Sequence, residues 1–173
     1  MKFDFEKSLQ IVERTPGALF NLLDGIDEEW TYKNEGPGTW SPFDVLGHLI
    51  VCEKTNFISR IELILSGTGN KVFSPIDMQA QFRESEGKSM QMLLNEFAAL
   101  RKSNITKLRS LHLTEEDFNR QGISAKVGSA TLSEVLATWV VHDLSHLSQI
   151  TRVMGKQYTR EVGPFIQFIR MLK

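Results

Sequence analysis

The chain has 173 residues, a formal net charge of −1 and a single cysteine, so we expect one domain spanning residues 1–173 with no internal disulfide. Lysine and arginine are scattered rather than gathered into a basic stripe, which argues against a nucleic-acid partner. The N-terminal segment MKFDFEKSLQ has acids where a signal peptide needs an apolar run, and no stretch of ~18 apolar residues is present, so we expect no membrane segment and a cytoplasmic location.

The first helical region is predicted from about Asp4 to Leu23, where apolar residues recur at helical spacing. Pro16 and Gly17 interrupt this region, and Thr15 is suited to cap a new helix that has Pro16 in its first turn. The pattern therefore predicts a kink or two short helices, followed by a polar connector rich in glycine and proline.

A second long helix is predicted to begin after Ser41 and to end near Ser66. Ser41 and Asp44 have the spacing of a capping box, and the sequence GTGN that follows Ser66 is a stop signal. A weaker helical stretch is expected at about residues 76–84, and a third long helix at about residues 88–111.

The fourth long helix is predicted to begin at a capping box formed by Thr131 and Glu134 and to end near Met154, with Gly155 as its stop. Residues 114–130, which precede it, are expected to form one short turn and then irregular structure, and a short helix is expected to close the chain. Because no strand is convincing and the long helices have about 20 to 25 residues, the predicted fold is all-α, a four-helix bundle with additional short helices.

Two histidines, His142 and His146, lie four residues apart in the sequence TWVVHDLSHLSQI of the fourth helix. At about 100° per residue, both rings lie on one side of the helix, at the edge of its apolar arc, where a pocket mouth would lie. A catalytic zinc-like ion typically takes three protein ligands, so this pair is incomplete. His48 in the second helix is a better third ligand than His112 at the frayed end of the third, although periodicity does not fix the direction of His48.

The alternative is that these histidines are hydrogen-bonded core residues, as a single histidine on an apolar helix more often is. Cys52, four residues after His48, is a further candidate ligand or nucleophile, although a small buried packing residue is the commoner case. Trp40 and Trp139 are expected mainly to pack, and together with Cys52 and Gln149 they are candidate pocket residues. A Ser–His–Asp triad within HDLSH is excluded, because neighbours in sequence do not face each other on a helix.

The segments GTWSPFDVLGHLI, TLSEVLATWVVHDLSHLSQITRVMGKQY and REVGPF resemble the DinB-like superfamily, which includes the DinB and YfiT-type four-helix-bundle proteins. The resemblance covers most of the chain. It implies a histidine triad, with one ligand from the second helix and two from the fourth, at His48, His142 and His146. It also implies that these three residues converge on one divalent metal ion, nickel or zinc, with water completing the shell.

Some members of this superfamily are thiol transferases that join bacillithiol, mycothiol or glutathione to electrophiles. The resemblance therefore implies a metal-dependent enzyme, a low-molecular-weight-thiol S-transferase or a related hydrolase, whose partners are a small-molecule electrophile and a thiol. Members often form homodimers, so a homodimer is expected. The alternative is a non-catalytic metal-binding stress or interaction protein, in which a fourth protein ligand such as Cys52 or Gln149 would close the site.

Overall fold

The computed structural model describes residues 1–67 and 69–173, which form mostly helices. The α-helices are α1 Phe5–Val12, α2 Thr15–Leu23, α3 Glu28–Tyr32, α4 Pro42–Thr55, α5 Phe57–Leu65, α6 Ala80–Glu84, α7 Met90–Ser110 and α8 Leu132–Lys156. The strands are β1 Gln121–Ser124 and β2 Gly128–Thr131, and short 3-10 helices span Asp117–Asn119, Gly163–Phe168 and Arg170–Leu172. None of the helices within these ranges is long and apolar enough to cross a membrane.

The long helices form the four-helix bundle that the sequence predicts. The first member consists of α1 and α2, and the second consists of α4 and α5. The third member is α7 and the fourth is α8. Helix α8 packs against α1, α4 and α5, and α7 packs against α2 and α4. Buried apolar side chains fill the interior in two clusters, one centred on α1, α5 and the first half of α8, the other on α2, α4 and the first half of α7. The site described below lies between α4 and α8.

The first two members of the bundle are each broken in two. The break before Pro16 confirms the two short helices, but Arg14 rather than Thr15 is the N-cap, and the Thr15 hydroxyl donates to Asp143 Oδ2 at 2.7 Å instead. The second break, at Asn56 with φ −110° and ψ −85°, was not predicted, because no proline or glycine marks it. Helix α5 ends close to the predicted stop GTGN, of which Thr68 lies outside the described residues.

An antiparallel hairpin precedes α8, so the prediction of an irregular segment without strands was wrong. Its register pairs Gln121 with Thr131. The hairpin docks on Phe73, whose N–H donates to Ile123 O at 2.8 Å. A Cβ at Gly122 would lie 2.3 Å from Phe73 Cε1, so this close approach requires glycine. Strands of four residues that are held by such contacts leave little local signal.

The end of the chain also departs from the prediction. Helix α8 continues past Met154 to Lys156, and Gly155 lies inside it rather than stopping it. A Cβ at Gly155 would lie 2.7 Å from Met171 Sδ, so the glycine lets the C-terminal segment approach α8 closely. That segment forms two 3-10 helices instead of one α-helix, and α6 covers only the second half of the stretch predicted at residues 76–84.

A buried charge network joins the members of the bundle. Arg101 of α7 is 2% exposed and forms ion pairs with Glu53 of α4 (Nη2 to Oε1, 2.8 Å) and Asp143 of α8 (Nη1 to Oδ2, 2.6 Å). Arg101 also donates to the carbonyl of Val12 at the end of α1, and Asp143 accepts the hydroxyl hydrogen of Thr15 in α2. One guanidinium therefore connects all four members of the bundle.

Replacing Arg101 with methionine is expected to lower the free energy of unfolding by roughly 3–5 kcal/mol, because two carboxylates would stay buried without their counter-charge. Urea unfolding at pH 7, followed by circular dichroism, measures the change. Lys102→Met on the exposed face of the same helix is the control, with an expected change within about 0.5 kcal/mol. A similar small loss in both variants would contradict the prediction.

Candidate metal centre

His48 of α4 meets His142 and His146 of α8 through the Nε2 atoms of the three rings. Nε2 of His142 lies 3.4 Å from Nε2 of His48 and 3.2 Å from Nε2 of His146. One nitrogen from each ring lies within 4.8 Å of the other two, near enough to bind a single ion. Zinc–nitrogen bonds of about 2.1 Å would place tetrahedral ligands about 3.4 Å apart, so the observed spacing fits a divalent metal. His112 follows α7 in a left-handed conformation (φ 47°) and is not part of this group.

Capping boxes fix where α4 and α8 begin, and so fix the position of each histidine within its helix. Ser41 pairs with Asp44 at the start of α4, and Thr131 pairs with Glu134 at the start of α8, as the sequence predicts. From these starts His48 lies in the second turn of α4, where it is 4% exposed. The structure therefore directs His48 into the bundle, a direction that periodicity left open.

Gln149 orients one ring of the triad. Nδ1 of His146 lies 2.8 Å from Oε1 of Gln149. Because an amide oxygen can only accept, Nδ1 carries the proton and Nε2 keeps its lone pair for a metal. Nδ1 of His48 and Nδ1 of His142 are buried without a hydrogen-bond partner among the described residues. The orientations of those two rings therefore depend on packing.

Burial keeps the triad uncharged. Desolvation is the main cause that lowers the pKa of His48 to about 4, and repulsion from His146 adds to this effect. Desolvation, with its two neighbouring histidines, lowers the pKa of His142 to about 3. The pKa of His146 is also lowered by burial, against the opposing effect of its bond to Gln149. All three imidazoles are thus neutral at neutral pH, the form that binds a metal ion.

Of the predicted pocket residues, Trp40 and Cys52 lie against the triad, as Gln149 does, whereas Trp139 lies in the core. The Trp40 ring is 4.9 Å from the His48 ring, centre to centre, and 6.5 Å from that of His146. Cys52 Sγ lies 3.5 Å from Nε2 of His48 and 3.9 Å from Nε2 of His142, and burial raises the pKa of this thiol to about 12. Trp139 is 1% exposed and belongs to the core.

Phe57 is a neighbour of the triad that the sequence did not single out. Its ring stacks on Trp139 at 5.1 Å and meets the His142 ring edge-on at 5.3 Å. Phe57 is the first residue of α5, so its direction depends on the unpredicted break at Asn56. In a continuous helix the Phe57 ring would point in a different direction. The sequence carries no signal that predicts its contact with the triad.

The connector that carries Trp40 is tied to the last turns of α8. Glu35, whose side chain is 10% exposed, pairs with Arg152 at 2.7 Å and with Lys156 at 2.8 Å. The hydrogen bond from Arg152 is the main cause that holds the pKa of Glu35 below its usual value. These ion pairs fix the connector where Trp40 covers one side of the triad.

An open groove on α8 reaches the triad. Its volume of ≈ 530 Å³ is in the range typical of small-molecule sites. The groove is lined by Glu134, Ala137, Thr138, Val141, His142 and Ser145. A small molecule in this groove would therefore touch one of the three histidines.

Replacing Gln149 with leucine is expected to weaken zinc binding by roughly 10- to 100-fold, because His146 would lose the acceptor that fixes its proton on Nδ1. Competition with a chelating dye measures the affinity. Gln10→Leu, on the exposed face of α1, is the matched control and should leave the affinity unchanged. Equal affinities of the two variants would contradict this role of Gln149.

Glu35→Gln is expected to lower the free energy of unfolding by about 1 kcal/mol at pH 7. The folded-state pKa of Glu35 is lowered, so its contribution is complete above the unfolded-state pKa and is lost as the pH falls through the folded-state value. Urea unfolding of chelator-treated protein is measured at pH 7 and at successively lower pH. The difference in the free energy of unfolding between wild type and variant should disappear as the pH falls. The exposed Glu29→Gln is the control, and a difference independent of pH would contradict the prediction.

Comparisons with known proteins agree with this architecture. The family model of the DinB superfamily matches residues 11–150. Among solved structures, YfiT from Bacillus subtilis, described as a probable metal-dependent hydrolase with an unusual four-helix bundle topology, is similar in fold, with a TM-score of 0.68 and 23% sequence identity. The match covers 94% of this chain and 90% of that one. No curated protein matches the chain significantly.

Proposed function

The chain belongs to the DinB superfamily, and from this premise we propose that it is a metal-dependent enzyme whose ligands His48, His142 and His146 hold one nickel or zinc ion. The observation that carries the proposal is that Nε2 of His142 lies 3.4 Å and 3.2 Å from Nε2 of His48 and His146, with all three ligand atoms within 4.8 Å of one another beside an open groove. Three protein ligands leave a coordination position free, which is the pattern of catalytic rather than structural sites. Gln149 is already engaged by His146, which argues against its serving as a fourth ligand.

The reaction we propose is transfer of a low-molecular-weight thiol to a small electrophile. When bound, a divalent ion of this kind lowers the pKa of a thiol or water and so supplies a nucleophile at neutral pH. Around it, Trp40 shields one side of the triad, Gln149 holds the His146 proton on Nδ1, and the groove beside His142 admits the electrophile.

Hydrolysis is the second candidate. The similar structure, YfiT, is described as a probable metal-dependent hydrolase, and a three-histidine site suits water as well as thiol as the nucleophile. Either reaction needs the same groove and the same ligands, so substrates rather than variants distinguish the two. The expected homodimer and cytoplasmic location stay predictions.

Elemental mass spectrometry of tag-free protein is expected to show close to one nickel or zinc ion per chain. The double variant His142→Ala/His146→Ala should lose the ion, because two of three ligands are gone. His112→Asn is the control, since asparagine tolerates the positive φ at this position and His112 is outside the triad. Absence of metal after reconstitution of the wild-type protein would refute the proposed site.

The activity test uses metal-loaded protein with glutathione, bacillithiol or mycothiol and a panel of small electrophiles, beside a panel of esters and amides. His146→Ala is expected to lower the conjugation rate by roughly 100-fold or more while circular dichroism stays unchanged. Full activity in that variant would contradict the proposal. Turnover of esters or amides without thiol conjugation would select the hydrolase.

A further inference from the structure

Arg60 of α5 is a half-buried cation that forms no ion pair with the residues that the structure describes. Its guanidinium carbon lies 5.1 Å from the centre of the Phe73 ring. Its side chain forms neither a hydrogen bond nor an ion pair with any other residue in the described part of the chain. Arginine is seldom buried unless it is paired, because its charge loses hydration. The same desolvation lowers the pKa of Arg60.

The hairpin builds the support beneath this guanidinium. Phe73 is 6% exposed and is held by the bond from its N–H to Ile123 O, while Ile123 N–H donates to Lys71 O at 2.7 Å. Gly122 has no Cβ, and this leaves room for the Phe73 ring. The ring is therefore fixed, and a guanidinium stacked on it keeps its N–H donors free for a planar ligand.

Arg60 lines a small cavity beside the groove of the triad. This cavity of ≈ 130 Å³ is lined by Arg60, Phe73 and Phe57 and also by Glu134 and Thr138. Glu134 and Thr138 line the groove of His142 as well, so the two spaces adjoin. Phe57 lines this cavity and meets the His142 ring edge-on at 5.3 Å. One small molecule can thus contact both Arg60 and His142.

We infer that Arg60 binds a carboxylate of the substrate, so that this site accepts small molecules whose acid group is separate from the atom that reacts at the triad. The inference rests on the proposed function of the triad and names the substrate class. A guanidinium binds a carboxylate through two parallel hydrogen bonds. Its neighbour Glu134 accepts the Thr131 N–H at 2.7 Å as a helix cap and disfavours further negative charge, which selects a monoanionic carboxylate over a phosphate.

The test follows the nitrogen NMR signal of the Arg60 Nε–H group during titration. The probes are propionate and 3-mercaptopropionate, the neutral amide of each, and inorganic phosphate, added to metal-free and to zinc-loaded protein. The signal that is missing from the spectrum of Arg60→Gln is assigned to Arg60. Ligand-observed NMR gives the affinities of the variants. Arg160→Gln, at an exposed arginine, is the matched control.

Both acids are expected to shift the Arg60 signal saturably, whereas their amides do not. Arg60→Gln should weaken binding of the acids by roughly 10- to 100-fold, and Arg160→Gln should not. Equal binding of acid and amide, or no saturable shift, would overturn the carboxylate site, and tighter binding of phosphate would overturn its assignment to carboxylates. Zinc is expected to tighten the two probes that carry a thiol, 3-mercaptopropionate and its amide, and to leave the affinity for propionate unchanged. If the acids bind at Arg60 but zinc has no such effect, the Arg60 site stands and the thiol-transfer proposal fails.

Discussion

The ion pairs of Arg101 are the constraint on which the site depends. Arg101 brings a positive charge into the interior from α7, and Glu53 of α4 and Asp143 of α8 neutralise it. Asp143 directly follows His142. Because adjacent residues leave a helix about 100° apart, the rotation of α8 that pairs Asp143 with Arg101 also turns His142 toward α4. Any other rotation would leave a buried carboxylate unpaired, at a cost of several kcal/mol.

Much of the site could be predicted, because its signals are local. The H-x3-H spacing puts two rings on one side of a helix, and the capping boxes set where α4 and α8 begin. The charge network was missed although the sequence carries a signal for it. Asp143 falls near the middle of the apolar arc of α8, and Arg101 stands between Phe97 and Ile105 at four-residue spacing on the buried face of α7. A charge in such a position requires a buried partner.

Other features could not be predicted, because tertiary contacts decide them. The break at Asn56 has no proline or glycine to mark it, and the short hairpin strands are held by Phe73 and its surroundings rather than by their own propensity. The positions of Phe57 and Arg60 depend on both features. Sequence patterns thus located the histidines but not the wall of the adjoining cavity.

The triad joins parts of the chain that are far apart, since 94 positions separate His48 from His142. In an unfolded chain, bringing these residues together would require closing a long loop, so the preorganised set belongs to the folded state. An ion that binds this set binds the folded chain in preference to the unfolded one. For such an ion, occupancy and folding would be linked equilibria, and its free concentration would set part of the stability of the protein.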